Sequence, residues 1–368
     1  MRLAYSIGTF TLAATLGCAR AESQSGVKLE ATLPASFAML SNVVEVGGGR
    51  VMFADTRDKL FLSGDLKSGN VDTLGSRVAA LTRDGPAGQY KFPGWVAHLA
   101  GDTVALVDFS ALRTTLWDEA GKPLAVLPIK GVSENTPVLV YDTVGHGYKI
   151  DYQAVLGSRE PGRTLRTDSI PVLRISLETG KVDTAAVLAG PEYADATFGE
   201  QVHQAAKVFA PNDHFGVLGD GTAWVARGHQ NRVDWRSPDG KWIIGTAREY
   251  TRLPVTQADK DRVLAQVREQ GKQFGMPQDL KIVYPFAETK PPFDFALGRP
   301  NGEVWLQRPR NSEDAPMVYD IVNRKGQWQR TVTFPKGATL AGFGAKGAVY
   351  AAIKGEDGRR RVGRFRVE

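Results

Sequence analysis

The chain has 368 residues, and its 40 Gly and 20 Pro, spread along the whole length, exclude a helical bundle or a coiled coil. Hydrophobic residues at 42% and charged residues at 23% are ordinary for a globular protein and exclude disorder throughout. The net charge of +6, from 46 basic and 40 acidic side chains, is too mild for a protein that binds nucleic acid by neutralising phosphates.

The first 21 residues read differently from the rest. Met1-Arg2 leads into the uncharged stretch LAYSIGTFTLAATLG and then Cys18-Ala19-Arg20-Ala21. A positive start, a short apolar run and a small-residue exit describe an export signal. The run falls short of the roughly 17–25 residues of a membrane span. Cleavage after Ala21 fits the A-x-A exit. Lipidation of Cys18 fits Leu16-Gly17-Cys18, which resembles the end of a bacterial lipobox with Thr15 where Leu is usual. An uncleaved anchor is the third route. Removing the two arginines of residues 1–21 lowers the charge to +4. Cys18 is the only cysteine, so there is no intrachain disulfide and no thiolate metal site.

From residue 38 a two-part punctuation repeats. The first part is a Gly turn followed by an apolar run: Gly49-Arg50-Val51-Met52-Phe53-Ala54-Asp55, then Gly101 to Asp108, Gly221 to Arg227, Gly302 to Arg308 and Gly347 to Ile353. Such runs fit strands buried on both faces. The second is a Gly hairpin, as in Glu119-Ala120-Gly121-Lys122, Glu178-Thr179-Gly180-Lys181, Pro238-Asp239-Gly240-Lys241 and Arg324-Lys325-Gly326-Gln327. The two alternate down the chain, as in a four-stranded propeller blade. The pattern predicts an all-β, six-bladed β-propeller of four-stranded antiparallel blades. Its blades fall at 38–75, 94–128, 137–188, 212–247, 290–335 and 338–368. The last holds three strands, so residues 27–33 are expected to pair with 359–367 and close a single domain spanning 27–368.

Three segments interrupt the pattern: 153–168, 189–211 and 254–276. The last carries Thr256-Gln257-Ala258-Asp259, a helix start of capping-box type, followed by a modest apolar stripe with Val263 and Val267. It predicts a helical flap after blade four.

Arg83-Asp84-Gly85-Pro86-Ala87-Gly88-Gln89-Tyr90, followed by Phe92-Pro93, resembles the R-G-x-G-P-G-E-[FY] loop between blades one and two of exported bacterial six-bladed propellers, relatives of the NHL- and TolB-like group. Asp84, Ala87 and Gln89 stand where Gly, Gly and Glu are usual. The resemblance implies the fold and export. It implies no catalytic residue, because these relatives carry no agreed activity.

Chemistry is sparse. Nucleophile elbow, Walker loop, HExxH and EF-hand patterns are all absent. His98, His146, His203, His214 and His229 lack the short spacing of a metal site, so no metal and no other cofactor is expected. Asp55 and Asp108 end equivalent buried strands and are expected to cap the turns that follow. The function expected is a non-enzymatic, extracytoplasmic scaffold in the periplasm that binds a protein partner at a membrane surface. It would be attached peripherally or through a lipid on Cys18, as an extrinsic subunit of a membrane complex. The alternative is a hydrolase or lyase acting on a sugar, lactone or ester in the central funnel. Contacts are expected from the projecting loops: Tyr90 and Trp95, then Arg159, Arg163 and Arg166, then Val263 and Val267.

Overall fold

The computed structural model describes residues 23–368 apart from residues 100, 128–137, 139, 153–164, 167, 273–274 and 313. The Gly turns do what the sequence requires. Gly121 (φ 85°) and Gly240 (φ 92°) hold the left-handed conformation that tight hairpins need, at a position where a side chain would be strained.

Between these turns the strands form antiparallel meanders. Four are separate four-stranded sheets, beginning at Leu40, Pro93, Val140 and His214 and ending at Thr73, Leu127, Leu188 and Ile243. Two more, Phe295–Thr333 and Ala338–Val367, belong to one eight-stranded sheet in which Ser23–Thr32 lies between them. Val27–Thr32 runs antiparallel to Gly363–Val367. Ser23–Gly26 runs parallel to Arg330–Thr333, a pairing the sequence reading did not anticipate. The architecture is that of a β-propeller.

Strands buried on both faces follow from the packing. Met52 and Phe61 of the first unit share a core with Val96, Leu106 and Trp117 of the second. Val51 and Phe53, on the opposite face of the same strand, pack with Tyr350 and Val362 of the last unit. The second unit meets the third through Val107 and Ile175, and the third meets the fourth through Val172 and Val225. Trp224 packs with Val304, and Trp305 with Val349 and Phe365. Every unit thus offers one face to each neighbour, which is why its central strands read as unbroken apolar runs.

The interrupting segments come together. Leu165–Arg166, Glu192–Phe198, Gln201–Ala206 and Ile282–Val283 form a small extra sheet. Leu165–Arg166 comes after the second strand of its unit, whereas the segments at 189–213 and 244–294 precede the first strand of theirs. In an antiparallel meander these positions share one end. All three insertions therefore build on the same face of the molecule. The flap is the helix Gln257–Lys272, within the expected 254–276 segment.

Candidate functional site

The first strands of the sheets described above border a central cavity of about 640 Å³. Its wall includes Trp95, Phe215, Phe295, Leu297 and Phe343. No Asp, Glu, Lys or Arg side chain is among the residues described there. The polar side chains in the wall are mostly committed to backbone. Asn42 accepts a hydrogen bond from the Val96 N–H (3.0 Å) and donates to its carbonyl, tying the first unit to the second. His98 Nε2 lies 2.5 Å from the Glu45 carbonyl. Thr143 donates to the Gly219 carbonyl (2.8 Å). His214 is different, with its imidazole between the rings of Phe293 and Phe295 at 5.6 and 6.3 Å. Burial pushes its pKa down to about 4, against the pull of Asp213, so the ring is neutral at pH 7. Among the described residues no group of three His, Cys, Asp or Glu could hold a metal. The wall offers two imidazoles, one already bonded, which does not make a metal centre.

A second concavity, about 380 Å³, lies beside the insertions and is lined by Tyr152, Tyr193, Lys207, Phe209, Asn212 and Asp294. Lys207 is paired with Glu192. Asp294 keeps part of its surface in solvent yet is crowded on its other sides. That crowding pushes its carboxyl up to about 6, against the pull of Lys290, Arg310 and Arg262. The flap is pinned here by a buried hub. Asp259 accepts hydrogen bonds from the Thr256 N–H (3.1 Å) and hydroxyl (2.8 Å), from Arg262 (2.5 Å) and from Lys290 (2.9 Å). Lys290 also donates to the Arg310 carbonyl (2.7 Å) and sits 5.7 Å from the Phe209 ring centroid. Burial opposes ionisation of Asp259. The bonds from Lys290, Thr256 and Arg262 outweigh it and hold the carboxyl well below the usual carboxylate range.

The structure separates the contact residues chosen from sequence. Tyr90 is 1% exposed, with its hydroxyl accepting the Phe61 N–H (3.2 Å). Tyr90 is therefore core and not a surface contact: the loop carries its ring inward against Phe61, Val96 and Trp117. Trp95 lines the central cavity rather than an outer surface. Val263 and Val267 are half-buried on the flap. Arg166 lies on the insertion sheet, its backbone paired with Glu192. Arg159, Arg163 and Cys18 lie outside the described residues. Asp55 and Asp108 are turn caps: each accepts backbone N–H groups from the turn after its strand and from the segment leading into the unit. In the fourth unit the charges are exchanged. Arg227 takes the Asp position and pairs with Asp213, whose carboxylate caps Gly228 (3.0 Å) and Ala189 (2.9 Å).

Two features were missed by sequence reasoning. Arg113, 2% exposed, donates to the carbonyls of Arg83, Gly85, Pro86 and Gln89 and so organises the whole 83–90 loop. A lone Arg in a strand gives no signal of that. The other lies on the fourth unit. Its outermost strand, Trp242–Ile243, pairs with Arg232–Arg236 on one side and has no partner among the described strands on the other, and Trp242, Ile243 and Ile244 are 38%, 49% and 60% exposed. Arg227 bridges it to the third unit, donating to the Val187 carbonyl (2.8 Å) and stacking 6.0 Å from the Trp242 ring; Val187 is exposed as well. Three consecutive exposed apolar residues on an edge were the available clue.

No protein-family profile and no curated protein matches the chain. Similar solved structures include a DUF4221-family member from Bacteroides vulgatus, at 9% identity and a TM-score of 0.49, covering 93% of this chain and 98% of that one. A protein of unknown function from Bacteroides thetaiotaomicron gives 13% identity and 0.44, covering 94% and 74%. A calcium-binding regucalcin from Agrobacterium tumefaciens gives 11% and 0.42, covering 92% and 94%. At these levels none of them says what this chain binds or does.

Proposed function

We propose that this chain is an exported, non-catalytic scaffold: one domain, a ring of six blades closed by residues 27–32, that holds a protein partner. The observation that carries the reading is the edge strand of the fourth unit. Edge strands are normally blunted by charge, proline or brevity, because a bare row of N–H and C=O groups invites another chain. Here the edge is short but presents Trp242, Ile243 and Ile244 without an intervening charge, next to exposed Val187. Apolar groups clustered in this way on a surface mark a protein contact. An added strand would gain main-chain hydrogen bonds from the edge and side-chain burial from the patch. The signal-like residues 1–21 support a place outside the cytoplasm, periplasmic, with the partner at the membrane surface. Among the described residues no helix is long and apolar enough to cross a membrane, so attachment would be peripheral or through Cys18. No cofactor enters the reading.

The test is co-purification of the tagged chain from detergent-solubilised membranes of its native host, alongside Ile243→Lys and Ile244→Lys. A partner that follows the wild type and is lost from both variants, at unchanged thermal midpoint, supports the reading. A chain that is monomeric and partnerless, or variants that retain the partner, refutes it.

A further inference from the structure

The central cavity is built for something other than water. A wall drawn from six strands of a chain that is 23% charged contains no Asp, Glu, Lys or Arg among the residues described. Aromatic rings stand in that wall instead, with Phe295 36% exposed although it lies on an innermost strand. Water-filled apolar surface of this kind is costly at about 25 cal/mol per Å². A cavity near 640 Å³ is also within the range that holds small molecules.

The unspent polar groups narrow the occupant. Asn42, His98 and Thr143 are bonded to backbone. The His214 ring, the Trp95 indole N–H and the Trp224 indole N–H have no hydrogen-bond partner among the described residues. Trp224 is 3% exposed, and its unpartnered Nε1 sits in the same wall beside Gly298, where a Cβ would fall 2.3 Å away. Packed between Gly216 and Gly298, that nitrogen is out of a ligand's reach, which leaves the His214 ring and the Trp95 indole as the unspent groups facing an occupant. With no charged side chain in the wall, an ion would enter without compensation, which burial penalises heavily. We propose that the channel binds a small uncharged aromatic molecule, seated against Trp95, Phe215, Phe295 and Phe343 and hydrogen-bonded through the nitrogens of His214 and the Trp95 indole.

The occupant is defined by its chemistry, and the site is separate from the outer edge at Trp242, so this inference stands or falls independently of the scaffold reading. The probe is 2-naphthol, titrated into the purified full chain at pH 7 by calorimetry. Its charged counterparts are 2-naphthoate and 2-naphthylmethylammonium. 2-Naphthol should bind at least tenfold more tightly than either ion. His214→Phe, which keeps the ring and removes both nitrogens, should weaken 2-naphthol on the order of three- to tenfold, the worth of one hydrogen bond. Filling the cavity with Ala97→Trp should abolish binding while leaving the circular dichroism spectrum and thermal midpoint in place. Val217→Trp serves the same purpose if Ala97→Trp does not fold. Three results would each overturn the proposal: no binding of 2-naphthol up to its solubility limit, equal binding of an ion, or wild-type binding by a folded cavity-filling variant.

Discussion

Asp259 offers the sharpest test of how the flap is held. The carboxylate and the Lys290 ammonium are 1% and 2% exposed and 2.9 Å apart, so each is the other's main compensation for leaving water. Lys290→Met removes the ammonium and leaves Asp259 buried with Thr256 and Arg262. Asp259→Leu leaves Lys290 with the Arg310 carbonyl, the Phe209 ring and the more distant charge of Asp294. Breaking a buried pair in this way costs about 3–5 kcal/mol. Asp259→Leu also loses the helix cap on Thr256, about 1 kcal/mol. The double variant strands no charge. It should lie within about 1–2 kcal/mol of wild type, since apolar replacement of both partners is commonly neutral or better. Urea unfolding gives the three values, and hydrogen exchange over residues 257–272 locates any loss that stays local to the flap. The expected signature is a coupling of several kcal/mol, with each single variant worse than the double. Additive single costs would refute the hub.

Three further outcomes follow. His214 stays neutral in the fold, with a pKa near 4, whereas the unfolded chain takes up a proton near 6.5; its contribution is present above pH 6.5 and lost as pH falls towards 4. Wild type should therefore lose up to about 3 kcal/mol more than His214→Phe between pH 7 and pH 4, measured by urea unfolding, and parallel profiles would contradict this. Arg113→Met strips the donors from four carbonyls of the 83–90 loop, so trypsin should cut at Arg83 or Lys91 at least tenfold faster, with a stability loss of about 2 kcal/mol or more; unchanged cleavage would contradict the arrangement. Deleting residues 22–32 uncovers the edges of both Trp328–Thr333 and Arg360–Val367, and the thermal transition should lose its cooperativity; an unaltered midpoint would rule out ring closure.

The blades were legible because Gly turns mark their ends. The expected 38–75 and 338–368 correspond to strands at 40–73 and 338–367, and Val27–Thr32 pairs antiparallel with Gly363–Val367. The helix was legible from Thr256 and Asp259, which bond reciprocally as a capping box does. What escaped the sequence was pairing between distant segments. Two-residue strands such as Leu165–Arg166 and Ile282–Val283 have no period to read, and the polar Glu192–Ala206 hairpin resembled a linker. Alternation says that Tyr90 and Trp95 differ in environment but not which faces the core and which faces the channel. Nor does it reveal that six innermost strands, each innocuous alone, surround one cavity without a charge. That property exists only once the sheets are packed side by side.

The central claim is that the fourth unit's bare edge is the binding surface. It is tested most directly by placing the photo-crosslinking residue p-benzoylphenylalanine at position 243 in cells of the native host, with the same residue at exposed Asn70 in the first unit as control. The account predicts one discrete cross-linked species from position 243 and none from position 70. Equal or absent cross-linking at the two positions would contradict it.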